Sequence, residues 1–85
     1  MAKAMNLCPE QCRAARALLN WTQEQLANLA GVSRSTVRDF ECNRHELQRG
    51  SEALVVATLE RAGIRFLHGS RDGPGVRLRR VHGKA

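Results

Sequence analysis

The segment from Thr22 to Glu41 constrains the fold of this chain most, because it contains the signals for two short helices and the turn between them. Thr22 lies three residues before Gln25, which is the spacing of a capping box. Gly31 can adopt the left-handed conformation that ends a helix, because glycine has no Cβ. Ser33 then provides the cap of a second helix. Two helices joined by so short a turn predict a helix-turn-helix.

The order of apolar and polar residues gives each predicted helix an inner and an outer face. The apolar residues recur at helical spacing and are Leu26, Leu29, Ala30, Val37 and Phe40. Arg34, Ser35 and Arg38 share the other side of the second helix. Arginine can bind O6 and N7 of guanine with two hydrogen bonds. This polar face is therefore a candidate surface for reading DNA bases, and the alternative for each arginine is simple solvation.

The segments on both sides of this motif extend the pattern into a family resemblance. The residues concerned are 15–27, 30–37, Glu41, 59–66 and 73–78. The first three resemble the Xre family of phage repressor and Cro-type regulators. The last two are similar to a small bacterial subgroup whose domain ends in a β-hairpin. The resemblance implies a mainly α fold, with four or five helices in a repressor-like helix-turn-helix domain and a short C-terminal β-hairpin.

The resemblance also implies roles for individual residues. Arg16 and Glu41 match a family pair that joins the first helix to the end of the recognition helix, which implies a structural ion pair. The residues expected to bind DNA are Gln23, Arg34, Ser35, Thr36, Arg38, Asn43 and Arg44. Gln23 opens the first motif helix, where its side chain and the backbone amides would meet a phosphate. Asn43 and Arg44 match positions that contact the DNA backbone.

The chain divides into four predicted segments. They are a flexible N-terminus at 1–8, the helix-turn-helix domain at 9–63, the hairpin at 64–81 and a flexible tail at 82–85. Pro9 suits the first turn of a helix. Ser51 is expected to cap the fourth helix, and Gly63 is expected to end it. The predicted buried face of that helix consists of Leu54, Val55, Thr58, Leu59 and Ala62.

In the predicted hairpin, the apolar residues suggest a partner. Ile64, Phe66, Val76 and Leu78 alternate with residues that include several arginines. An isolated two-stranded hairpin is marginally stable in water, and its edges carry unpaired backbone groups. Pairing with the hairpin of a second subunit would satisfy both, so these four residues form the predicted interface of a homodimer. The alternative is a hairpin that packs only on its own fourth helix.

Positive charge is concentrated in the C-terminal quarter of the chain. Residues 1–60 contain seven Lys or Arg and seven Asp or Glu, whereas residues 61–85 contain seven bases and only Asp72 as an acid. Residues 1–60 are therefore neutral, and the entire net charge of +6 belongs to residues 61–85, which contain the predicted hairpin and tail. A basic balance suits an anionic partner such as double-stranded DNA.

Other functional classes have little support in this sequence. No apolar run is long enough to cross a bilayer, and the N-terminus lacks the apolar centre of a signal peptide, so a cytoplasmic protein is expected. Cys8, Cys12 and Cys42 match no metal-binding pattern with the histidines, and nothing in the sequence decides whether they have a redox role. No catalytic cluster or cofactor loop stands out. We therefore expect no enzyme activity, no metal and no cofactor.

Two functions from different classes remain after these exclusions. The first is a sequence-specific DNA-binding regulator, a dimeric repressor that reads the major groove with the helix at 33–41. The second is a helix-turn-helix module that binds another regulatory protein, as an antiactivator does. Arg34 and Arg38 favour the first function, and the neutral helical part favours the second.

Overall fold

The computed structural model describes residues 6–69 and 71–79, and within them four helices precede a two-stranded hairpin. The elements are α1 (Pro9–Leu19), α2 (Gln23–Ala30), α3 (Arg34–Glu41), α4 (Arg49–Arg61), β1 (Ile64–Leu67) and β2 (Gly75–Leu78). The predicted fold class, mainly α with a short C-terminal hairpin, is confirmed. The predicted tail at 82–85 lies outside the described residues. No described helix has the length and apolar character needed to cross a membrane.

Side chains at their N-termini define where α2 and α3 begin. Thr22 Oγ1 accepts a hydrogen bond from the Gln25 backbone N–H at 3.0 Å, and Gln25 Oε1 accepts from the Thr22 N–H at 2.8 Å. Gly31 ends α2 in the left-handed region at φ +77°. Ser33 Oγ then accepts from the Thr36 N–H at 3.1 Å. The predicted capping box, glycine turn and second cap are therefore all present.

The start of α4 differs from the prediction. The helix begins at Arg49 and its N-cap is Gln48, whose side chain makes no capping hydrogen bond, so Ser51 lies within the first turn. Leu54 is 49% exposed, whereas Val56 is buried. The reason is that α4 packs against both α2 and β1. Its buried face therefore includes Val56 as well as Val55, and Leu54 lies outside it.

The chain before α1 is ordered further back than expected. Leu7 belongs to the predicted flexible segment, yet it is buried. Its backbone N–H donates to Glu52 Oε2 at 2.8 Å, which joins the entry of α1 to the first turn of α4. A buried side chain and a paired backbone group together fix this residue in place.

The hairpin is antiparallel and has two chemically different faces. Ile64 lies opposite Leu78 and Phe66 lies opposite Val76, and these pairs face the helices. The strands end at Leu67 and Leu78, and the Arg79 N–H donates to the Gly63 carbonyl at 2.8 Å just beyond them. Residues 70, 80 and 81 of the predicted hairpin at 64–81 lie outside the described residues. β1 packs on α4 and β2 packs on α1, so two helices support the hairpin rather than α4 alone.

A buried glutamine holds the hairpin against α1. Gln11 Nε2 donates to the carbonyl oxygens of Leu67 at 3.2 Å and Gly75 at 3.1 Å, which face each other across the two strands. Gln11 Oε1 accepts from the Cys8 N–H at 3.2 Å. The amide of Gln11 thus uses both its donor and its acceptor, as a buried polar group requires. The burial of Gln11 could not be predicted from the sequence, because glutamine is a polar residue.

Candidate nucleic-acid interface

Helix α3 has one buried face and one exposed face. Val37 and Phe40 are buried in the core. Arg34, Ser35 and Arg38 are all exposed, and they lie together on the opposite side of the helix. The apolar residues therefore fix the rotation of α3, and this rotation presents its two arginines and one serine to solvent. The three residues form the centre of the candidate interface.

Neighbouring hydroxyl groups tie the start of this face together. Ser33 Oγ lies 2.8 Å from Thr36 Oγ1 and 3.2 Å from Ser35 Oγ. Thr36 is half-buried, and its hydroxyl is engaged with the helix cap. Its contribution to a DNA contact would have to come from the methyl group or from a rearranged hydroxyl. Ser35 is exposed, so it is the more accessible of the two for a partner.

Arg38 carries an acidic neighbour on the same helix. Its Nε donates to Asp39 Oδ1 at 3.2 Å, and the Arg38 side chain is 46% exposed. This contact uses Nε, and neither Nη group has a hydrogen-bond partner within residues 6–69 and 71–79. A surface pair of this kind contributes little to stability. Arg38 can therefore exchange its contact with Asp39 for another acceptor at small cost.

Gln23 lies in a different environment from the predicted one. Its Nε2 donates to Glu41 Oε1 at 2.9 Å, so its amide points to the end of α3 rather than to solvent. This carboxylate uses one of the two amide N–H groups, so the contact of this side chain with a phosphate stays a prediction. The first backbone amides of α2 remain the groups suited to an anion there.

Asn43 and Arg44 follow α3 in a tight turn. Asn43 has φ +63°, in the left-handed region that asparagine tolerates better than most residues. The Arg44 N–H donates to the Asp39 carbonyl at 2.8 Å, which folds the turn back on the helix. Both side chains are exposed. They extend the exposed polar surface beyond the C-terminus of α3.

Glu41, the last residue of α3, has the most extensive set of polar contacts at this site. Arg16 Nε donates to Glu41 Oε2 at 2.8 Å, and Arg16 Nη2 donates to Oε1 at 2.7 Å. Arg16 Nη1 also donates to the Trp21 carbonyl at 2.9 Å, and Arg13 Nη1 donates to the Glu41 carbonyl. The two side chains for which the resemblance implied an ion pair are thus in two-point contact. We name Arg13, Arg16, Gln23 and Glu41 the Glu41 cluster.

The ionisation of the Glu41 cluster follows from these contacts. Burial on its own raises the pKa of Glu41, but hydrogen bonds from Arg16, Gln23 and Cys12 outweigh it, and the net pKa lies below the ordinary value of 4.5. The hydrogen bond to Glu41 raises the pKa of Arg16. Both groups therefore stay charged at neutral pH, and the carboxylate remains a strong acceptor for α1 and α2.

Cys12 lies beside the cluster as a neutral thiol. Burial, together with the nearby Glu41 carboxylate, raises the pKa of Cys12 far above its ordinary range. Cys42, in contrast, is exposed. The sequence gave no reason to connect Cys12 or Arg13 with Glu41, although the spacing of Arg13 and Arg16 places them on one face of α1. No three His, Cys, Asp or Glu side chains of the described residues are grouped to hold a metal ion.

The four residues predicted to form a dimer interface face their own chain instead. Ile64 and Phe66 are buried at 3% and 7% exposure, and Val76 and Leu78 are half-buried against the same core. Ile64 and Phe66 are too deeply buried for such a contact, whereas contact of the half-buried Val76 and Leu78 with a second subunit stays a prediction. The alternating pattern correctly indicates an apolar face, but α1 and α4 cover that face.

Comparison with known proteins agrees with this geometry. Residues 13–47 match the model of a family described as helix-turn-helix. The matched segment begins within α1, contains α2 and α3, and includes Asn43 and Arg44. No curated protein matches the chain. The fold and the match agree that residues 13–47 contain a helix-turn-helix, and this motif supports a DNA-binding regulator.

Proposed function

We propose that this protein is a sequence-specific DNA-binding transcriptional regulator that reads the major groove with α3. The observation that carries the proposal is the exposed face of α3, where Arg34, Ser35 and Arg38 lie opposite the buried Val37 and Phe40. A recognition helix requires this arrangement, since its base-reading side chains must be free while its other face anchors it to the domain.

Each residue of this surface has a role that suits its position. Arg34 and Arg38 can each bind O6 and N7 of a guanine, and Ser35 can bind the edge of either base of a pair. Asn43 and Arg44 lie where the chain leaves α3, and they can contact the phosphate backbone and fix the register of the helix on the duplex.

We further propose that the protein acts as a dimeric repressor, which occupies a promoter through two symmetric half-sites. Support for a dimer comes from the edges of the hairpin. A two-stranded sheet leaves backbone groups unpaired at its edges, and a strand of a second subunit could pair with them. A symmetric dimer places its recognition helices one helical turn apart on DNA, about 34–36 Å. Footprinting tests this, because a dimer protects two such half-sites and a monomer protects one.

Salt-titrated binding to DNA from the gene neighbourhood of this protein tests the main proposal. The parent should prefer one duplex from this region over random sequence, and the preference should persist as salt increases. Arg34→Ala and Arg38→Ala should each remove preference at particular base pairs. Arg49→Ala and Arg61→Ala are the matched controls, since both residues are exposed arginines at the two ends of α4. Equal preference in the parent and both α3 variants would contradict the proposal.

A second candidate function is a module that binds another regulatory protein. The observations that favour it are the absence of net charge in residues 1–60 and the contact of Arg38 with Asp39, which lowers the positive potential of the α3 face. The same titration distinguishes the two functions. A protein-binding module would bind every duplex weakly, without preference, and lose this binding at moderate salt.

A further inference from the structure

The outer face of the hairpin contains two arginines in direct opposition. Arg65 of β1 is the cross-strand partner of Arg77 of β2, and both side chains are exposed. Opposed side chains in an antiparallel pair lie close together, and like charges there are destabilising. The hairpin would be more stable with an opposite charge or a neutral side chain at either position. The stability of the hairpin therefore does not explain why two arginines occupy these opposed positions.

Arg79 adds a third positive charge to the same face. It lies two residues after Arg77, so the alternation of side chains along a strand places both on one side. The Arg79 N–H donates to the Gly63 carbonyl, which continues the pairing of the two chain segments past the strands. None of the three arginines forms an ion pair with an acidic side chain in the part of the chain that the structure describes. We name Arg65, Arg77 and Arg79 the hairpin arginines.

The hairpin arginines have no part in the packing of the core. The opposite face of the hairpin supplies the buried Ile64 and Phe66, and Gln11 fixes the two strands to α1. The backbone that carries the arginines is therefore held by the domain, while their side chains remain exposed. A fixed backbone with free charged groups is suited to binding an anion, because few backbone conformations are lost on binding.

We propose that the hairpin arginines form a second anion-binding surface, which binds the phosphate backbone of DNA independently of base sequence. The identity of the anion rests on the DNA-binding function proposed above. A protein partner is less suited to this face, because protein interfaces have an apolar centre and this face offers only the half-buried Leu67 opposite Gly75. A continuous row of phosphates, in contrast, matches several guanidinium groups without intervening acids.

The test compares two triple variants of the full chain. The first is Arg65→Gln, Arg77→Gln and Arg79→Gln, and the matched control is Arg49→Gln, Arg61→Gln and Arg71→Gln. Each variant changes the formal net charge from +6 to +3. The control arginines are exposed and lie at the ends of α4 and at the hairpin turn. Any difference between the variants therefore reports the position of the charges and not their sum.

The probes are a random-sequence duplex and the preferred duplex from the gene neighbourhood. Each phosphate contact contributes about 0.9 to the slope of log affinity against log salt, so three lost contacts should reduce the slope by about 2.7 on both duplexes. Between about 50 and 200 mM salt, this corresponds to a change in affinity ratio of roughly 40-fold. The control should retain the slope of the parent. Equal slopes in all three proteins, or equal losses in both variants, would overturn the proposal.

One further variant separates binding from folding. Arg77→Glu places opposite charges across the strands, so its melting temperature should be at least that of the parent, while its slope on random-sequence DNA should fall. A slope that does not fall would overturn the proposal. These experiments also distinguish a failure of the proposed base reading by α3 from a failure of the proposed phosphate binding by the hairpin arginines. A preferred duplex with an unchanged slope in the triple variant leaves the role of α3 intact, and a reduced slope without any preferred duplex leaves only the hairpin surface.

Discussion

Replacing Arg16 with alanine would remove both charged donors from a carboxylate that is almost fully buried. The Glu41 side chain is 2% exposed, whereas that of Arg16 is 19% exposed. The hydrogen bond from Gln23 would remain, but the charge of Glu41 would have no counter-ion in contact. Breaking a buried ion pair typically costs about 3–5 kcal/mol. Because Gln23 stays and Arg16 is partly exposed, we expect a loss of about 3 kcal/mol in the free energy of unfolding.

The unequal exposure of the two partners predicts an unequal cost. Glu41→Ala leaves the guanidinium of Arg16, which can reach water, so its cost should be about 2 kcal/mol, typical of a lost charged hydrogen bond. The double variant should cost less than the sum of the two single variants, because the pair is lost only once. Urea denaturation at neutral pH measures all three, and urea avoids the ionic screening that guanidinium salts introduce.

The pH dependence gives an independent measure of the same pair. In the parent, the lowered pKa of Glu41 means that its contribution is present above pH 4.5 and is lost as pH falls through the folded-state value. In Arg16→Ala the effect of burial dominates and raises the pKa of Glu41, so protonation relieves the variant. The difference in stability should therefore be largest at neutral pH. It should shrink as pH falls from the raised pKa of Glu41 in the variant, above 4.5, to its lowered pKa in the parent, below 4.5. An unchanged urea midpoint in Arg16→Ala, or a difference independent of pH, would refute this reasoning.

Three further experiments test other parts of the structure. Arg34→Ala and Arg38→Ala should each reduce affinity for the preferred duplex by about 1–3 kcal/mol without changing the melting temperature, as measured by gel shift and calorimetry. Gln11→Ala should destabilise the protein by about 1–3 kcal/mol and increase hydrogen exchange in the hairpin, because it leaves two partly buried carbonyls without their hydrogen bonds from Gln11. Iodoacetamide should modify the exposed Cys42 in the native protein and leave Cys12 unmodified until unfolding, since burial raises the pKa of Cys12; mass spectrometry distinguishes the two.

The parts of the fold that depend on neighbouring residues could be predicted from the sequence. The caps at Thr22 and Ser33 and the turn at Gly31 involve residues within three or four positions of one another. The start of α4 could not be predicted in this way. Ser51 has the chemistry of a cap, but the helix begins before it with Gln48, whose side chain makes no capping bond. The packing of α4 on its neighbours therefore outweighs the preference of Ser51 for the capping position.

Alternation along the hairpin predicted which residues share a face, but it could not predict what covers that face. Ile64 and Phe66 would show the same pattern whether they packed on a second subunit or on their own helices. The difference depends on Gln11, which lies 56 residues before Leu67 in the chain and joins α1 to both strands. A polar residue in a helix is exposed in most cases, so its type gives no indication of a buried contact at this distance.

The candidate interface depends on long-range contacts in the same way. Glu41 lies one turn after Arg38, and its carboxylate is held by Arg16 of α1 and Gln23 of α2 while its carbonyl is held by Arg13. These contacts fix the C-terminal end of α3, and the core residue Val37 fixes its rotation. The orientation of the exposed arginines therefore depends on the contacts of Glu41, a buried charge at the end of the same helix. Weakening the Glu41 cluster should thus lower DNA affinity as well as stability, because α3 would occupy a wider range of orientations before binding.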